Sequence, residues 1–138
     1  MSGRVADAEQ SKRPSSLKVL LVEDEMMIAL LVESMLIDLG HEVMGPVGWL
    51  NKAVAMAEHE DLNLAVIDVN INGGSAYPVA AALAARGIPF IFATGYGRAG
   101  LAVPFENSPA LQKPYRSEDL RAAIEAVYAV DPASSAQN

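Results

Sequence analysis

Four short stretches of the chain carry residues suited to polar chemistry: Glu23-Asp24-Glu25, Asp68 at the end of LAVID, Thr94 in FATGY and Lys113 in LQKPY. Brought together, they would offer several carboxylates, one hydroxyl and one ammonium. Two carboxylates about 4 Å apart repel by roughly 4 kcal/mol at an effective dielectric near 20. A cluster of them therefore needs cancelling charge. Lys113 supplies part of it. A hard divalent cation that takes oxygen ligands and keeps bound water, Mg²⁺, suits the rest. A metal beside a carboxylate suits phosphoryl transfer: the cation and Lys113 neutralise charge on the phosphoryl oxygens, and Thr94 donates a hydrogen bond. A carboxylate can itself be the nucleophile and become an aspartyl phosphate.

Whether these residues meet depends on the elements that carry them. Residues 17–22 (LKVLLV), 64–68 (LAVID) and 88–93 (IPFIFA) are short, nearly continuous apolar runs of the kind that form parallel strands buried on both faces. Residues 42–44 read as a brief strand ended by Gly45-Pro46, and 110–112 as a weak one. Helices are predicted over 25–39, 49–59 and 75–86, and a last one is capped by Ser117 with Glu118 and Asp119 in its first turn. In the first helix Ile28, Leu31, Val32, Met35 and Leu39 form the expected inward stripe. Met27, Leu30 and Ile37 are surplus apolar residues, read as core in the main and as a docking surface in the minority. Pro78 falls in a first helical turn, and Gly40 and Gly87 stand just past helix ends. Asn72-Gly73-Gly74 is a turn and lacks the Lys-Ser/Thr of a phosphate-binding loop.

The order is βα repeated five times, which predicts a doubly wound parallel five-stranded sheet of α/β class. In such a sheet ligands bind outside the carboxyl ends of the strands. Glu23-Asp24, Asp68, Thr94 and Lys113 all fall at those ends, with Asp68 in the middle of the sheet, so it is the candidate nucleophile. One segment breaks the pattern: GYGRAGLAVPFENSP, 95–109, has no helical stripe, and its helix is expected to be short or irregular.

With 138 residues the chain fits one domain, expected over 17–130, between disordered tails at 1–16 and 131–138. There is no cysteine, which excludes disulfides and thiolate chemistry and fits a cytoplasmic protein. Seventeen acidic against ten basic residues, a net charge of −7, argue against a nucleic-acid surface. No apolar run reaches membrane-spanning length, and the first sixteen residues lack the apolar core of a secretory signal. His41 and His59 have no partners at ligand spacing and are read as surface or satisfied residues. Trp49 is read as packing, and Tyr77 as surface or partner contact.

Together, Glu23-Asp24, Asp68 in AVIDVNING, Thr94 in FATGY and Lys113 in LQKPY, in this order on a βα pattern, resemble the receiver domains of two-component response regulators. More narrowly, PFIFATGYG resembles the single-domain receivers of the FATGUY group. The resemblance implies a bacterial, CheY-like phosphoprotein that accepts a phosphoryl group on Asp68 from a histidine kinase and requires Mg²⁺. The kinase would be of the HWE or HisKA2 type, and a histidine phosphotransfer protein is a further implied partner. It implies that Asp24 and Asp68 bind the metal directly, Glu23 through water and Asn70 through its backbone carbonyl. Thr94 and Lys113 would contact the phosphoryl oxygens, with a cis Lys113–Pro114 bond. The family's usual aromatic switch position, three residues before the Lys, is Ala110 here. Tyr96, between Gly95 and Gly97, is the candidate replacement. The expected output is protein contact by a monomer or weak dimer, with no catalytic activity beyond the domain's own phosphotransfer and slow dephosphorylation.

Two other classes compete. A hydrolase of the haloacid-dehalogenase kind places an acid/base Asp two residues after its nucleophile; here that position is Asn70, which cannot serve. A scaffold that ignores phosphorylation would not need the full residue set.

Overall fold

The computed structural model describes residues 15–95 and 100–129. The tails expected at 1–16 and 131–138 fall almost wholly outside those residues, and so does Tyr96. Strand β1 (Lys18–Val22) leads to helix α1 (Met26–Asp38), strand β2 (Glu42–Val47) and helix α2 (Leu50–His59). Then come β3 (Leu64–Asp68), a hairpin of β4 (Asn70–Ile71) and β5 (Gly74–Ser75), α3 (Tyr77–Ala85), β6 (Phe90–Thr94), β7 (Ala110–Gln112) and α4 (Ser117–Ala129). Five of the strands form one parallel sheet in the order β2-β1-β3-β6-β7, the doubly wound α/β fold. The order reverses beside β1, which opens the crevice between β1 and β3.

Alternation along the strands splits the core in two. Leu20 and Val22 of β1, Ala65 and Ile67 of β3 and Phe92 of β6 meet Ala53 and Ala57 of α2 and Val79, Ala80 and Leu83 of α3. Val19, Leu21, Leu64, Val66 and Ile91 meet Val32 and Leu36 of α1 and Leu120 and Ile124 of α4. Burial on both faces is why these strands read as continuous apolar runs.

Several boundaries depart from expectation. β2 does not stop at Gly45-Pro46 but passes through that cis bond to Val47, with a register shift against β1. Gly45 makes this passage possible: its φ is +105° and a Cβ there would lie 2.9 Å from the Leu21 carbonyl oxygen. Asn72-Gly73 is the loop of the β4–β5 hairpin, with Gly74 already paired to Ile71 in β5, so α3 begins at Tyr77 rather than at 75. Arg116, not Ser117, takes the cap of α4: its N–H donates to the Asp119 carboxylate at 2.9 Å, and its carbonyl accepts from Leu120 N–H. In α1 the buried residues are Ala29, Val32 and Leu36; Leu31, expected inside, is exposed. The surplus Met27, Leu30 and Ile37 are exposed as well, Met27 at 80%. Gly100 is in a 3₁₀ turn and the described residues 101–109 form no helix; Leu101 is buried and Phe105 packs on the core.

Phe92 sits at the centre of one half-core, fully buried, with the rings of Tyr77, Phe90 and Phe105 between 5.4 and 5.7 Å away. We expect Phe92→Ala to lower stability by about 3–5 kcal/mol in urea unfolding, and Met27→Ser to change it by less than about 0.5 kcal/mol. Equal losses from the two would contradict this core assignment.

Candidate functional site

Register assembles the site. Val22 lies level with Ile67 and Asp68 with Ala93, so Glu23, just beyond β1, comes alongside Asp68. Thr94 pairs with Gln112, which sets Lys113 one residue past the sheet edge beside Thr94. Lys113 N–H donates to the Thr94 carbonyl at 2.8 Å. Its Nζ lies 3.0 Å from Glu23 Oε1 and 3.2 Å from Asp68 Oδ2. The second Glu23 oxygen accepts from Glu25 N–H at 3.1 Å. Glu23 is thus buried with both oxygens engaged, whereas Asp24 is exposed. Carboxylate oxygens of Glu23, Asp24 and Asp68 lie within 4.8 Å of one another. Asn70 N–H approaches Asp68 Oδ1 at 3.4 Å, and the Thr94 side chain is buried at the rim. Lys113–Pro114 is cis. Ala110 is half-buried at the start of β7.

The charges are strained. Burial first, then the neighbouring Glu23 charge, push the Asp68 carboxyl up from 3.8 to about 6, against the pull of Lys113. Burial by itself would lower Lys113; the Glu23 hydrogen bond and the Asp68 and Glu23 charges outweigh it and hold the ammonium above its ordinary value. Three ionised carboxylates against one ammonium leave two negative charges, the complement of one divalent cation. Oxygen donors alone, with Asp24 open to water, fit a hard ion such as Mg²⁺.

Some neighbours were missed in the sequence. Tyr115 packs on the half-core of α1 and α4, its phenol pushed upward by burial and by the Glu23 and Asp68 charges; an aromatic two residues after Lys113 is the available signal. Gly48 lies so close to Asp24 that an added Cβ would be 2.9 Å from the Asp24 Cα. Trp49, read as packing, is 61% exposed at the start of α2. Tyr77, read as surface or partner contact, stacks on Phe105 with ring centroids 5.5 Å apart. His41 is buried and accepts Leu17 N–H at Nδ1; His59 is exposed.

No family model matches the chain. The transcriptional regulatory protein PdtaR of Mycobacterium tuberculosis is 30% identical over 129 residues, 91% of this chain; the chain spans 62% of that relative's length. The solution structure of SdrG from Sphingomonas melonis Fr1 superposes with a TM-score of 0.73 at 38% identity, covering 83% of this chain and 98% of SdrG. A signal receiver domain of a diguanylate cyclase from Desulfovibrio desulfuricans G20 matches at 27% identity and TM-score 0.70, over 82% of this chain and 94% of its own. At 22% identity the fold alone is shared with the receiver domain of sensor histidine kinase PA1611 from Pseudomonas aeruginosa PAO1 (TM-score 0.68, 83% of this chain and 98% of that one). That domain holds a magnesium ion in its active-site cleft. With its sheet order, its acidic pocket and the Lys113 that closes it, the chain belongs to the receiver domains of response regulators.

A carboxyl that binds its proton more tightly in the folded chain than in the unfolded one weakens the fold once it ionises. For Asp68 that penalty grows as pH rises from 3.8 to about 6 and is complete above. We expect metal-free Asp68→Asn to be more stable than the wild type by on the order of 2 kcal/mol at pH 7.5, with the difference gone below pH 4. Urea midpoints across this range check it, and a variant less stable at pH 7.5 would contradict it.

Proposed function

We propose that the protein accepts a phosphoryl group on Asp68 from the phosphohistidine of a histidine kinase or histidine phosphotransfer protein, and signals through protein contacts. The observation that carries this reading is the triangle of Lys113 Nζ with Glu23 and Asp68, with Asp24 within reach of the same point. Asp68 is the half-buried carboxylate at the centre of the sheet edge, open enough to be reached. Its oxygen attacks phosphorus, the P–N bond to histidine breaks, and the electron pair leaves on the imidazole.

Asp24, Asp68 and the Asn70 carbonyl would hold Mg²⁺, with Glu23 contributing through water. When bound, that ion neutralises charge on the phosphoryl oxygens. Lys113 pairs with an oxygen of the new phosphoryl group, and Thr94 donates to another. Water that later attacks the aspartyl phosphate returns the domain to its free state slowly, without turnover of other substrates. The FATGY stretch that resembles the FATGUY group supports an HWE or HisKA2 kinase and a cytoplasmic, bacterial setting. Among the described residues no helix is long and apolar enough to cross a membrane.

Intact-protein mass after incubation with acetyl phosphate tests this. We expect one added phosphoryl group that requires Mg²⁺ and disappears in Asp68→Ala. An adduct that persists in Asp68→Ala would sink the assignment, and multiple turnover on small phosphate esters would favour a hydrolase.

A further inference from the structure

Two chain paths leave the candidate phosphorylation site, and one side chain touches both. The first path runs from Asp68 through the β4–β5 hairpin, which Ala76 N–H closes onto the Val69 carbonyl at 2.6 Å, directly into Tyr77. The second leaves Thr94 at the end of β6 and returns to the described residues at Gly100. There the Tyr77 hydroxyl accepts Ala102 N–H at 2.8 Å and donates to the Gly100 carbonyl at 3.5 Å. The first of these bonds is of full strength and the second is weak. The Tyr77 ring lies parallel to Phe105 and edge-on to Phe92, two residues before Thr94 on the same face of β6. Residues 101–109 are irregular, with no helical hydrogen-bond ladder of their own. Buried Leu101, the Phe105 ring and the Tyr77 hydroxyl fix them to α3 instead.

We propose that the Tyr77 hydroxyl is a latch that couples residues 100–109 to the state of Asp68, closed in the resting protein and released when Asp68 carries a phosphoryl group. This rests on the receiver reading above. A phosphoryl group draws Thr94 and Lys113 toward Asp68. The end of β6 then moves relative to the hairpin that positions Tyr77. A rigid ring wedged between Phe92 and Phe105 cannot follow both, so the bond to Ala102 N–H breaks. Coupling of this kind is reciprocal: whatever loosens the latch favours the phosphorylated geometry by the same factor.

Tyr77→Phe removes the oxygen and keeps the ring. Hydrogen exchange of residues 100–105 is compared in the full chain, wild type and Tyr77→Phe, with and without beryllofluoride and Mg²⁺. In the wild type we expect beryllofluoride to speed exchange at Ala102 roughly five-fold, the factor set by one net hydrogen bond. In Tyr77→Phe, exchange should already be fast and change less than about two-fold on binding, and beryllofluoride should bind up to about five-fold more tightly. Wild type that binds beryllofluoride, seen by ¹⁹F resonance, yet keeps Ala102 protected would overturn the latch alone. So would a Tyr77→Phe protein with unchanged affinity. Failure of beryllofluoride to bind in the presence of Mg²⁺, with wild type and Asp68→Ala alike, would remove the receiver reading and the latch with it.

Discussion

The carboxyl edge of the sheet depends on one ammonium held between two carboxylates. Lys113 Nζ sits 3.0 Å from Glu23 and 3.2 Å from Asp68, with only 19% of its side chain exposed. Without it, Glu23 would stand buried beside a second negative charge with one oxygen unpaired. A buried pair of this kind gives little net stability, because desolvation offsets most of the attraction, but loss of one partner is severe. The pair is therefore better understood as a constraint on geometry. It fixes where Asp68 points and keeps Glu23 turned inward, leaving Asp24 as the water-facing carboxylate.

That constraint would be useless if the strands slipped. A one-residue slip of β3 against β1 would turn Asp68 to the other face and carry Ile67 and Val66 out of their half-cores. The sheet resists because β1, β3 and β6 pack on both sides, so every register error puts wrongly sized side chains into both half-cores. The edge strands β2 and β7 lack this protection, and β7 is only three residues long. The Lys113 N–H bond to the Thr94 carbonyl extends its pairing by one step, at the position that matters for the site.

Legibility in the sequence follows the same physics. Doubly buried strands leave a local trace, an apolar run, and the residues at their carboxyl ends, Glu23, Asp24, Asp68, Thr94 and Lys113, are legible from it together. What failed was whatever depends on the partner face. Leu31, Met27, Leu30 and Ile37 look like core in composition, yet α1 buries only the Ala29-Val32-Leu36 line, and no local signal marks the rest as outward. β2 looks finished at Gly45-Pro46 because the continuation rests on a positive φ and a bulge against β1, both tertiary facts. Trp49 looks like packing because large aromatics usually are, and Tyr77 gives no sign that its ring will lie on Phe105, 28 positions away.

The site is also where the fold is least at ease. An Asp68 carboxyl raised to about 6 measures charge that the protein has gathered without fully compensating. Elsewhere polar groups are matched: among the described residues no buried side-chain nitrogen or oxygen lacks a partner. A structure that satisfies its interior so thoroughly and leaves two negative charges at one edge concentrates its remaining instability at that edge. Any ligand that supplies positive charge there gains the energy the fold has left unspent, so binding stabilises the protein most where its chain paths diverge toward α3 and residues 100–109. The uncompensated acid and the irregular residues 101–109 thus lie at the same end of the sheet, the latter held by Leu101, Phe105 and Tyr77.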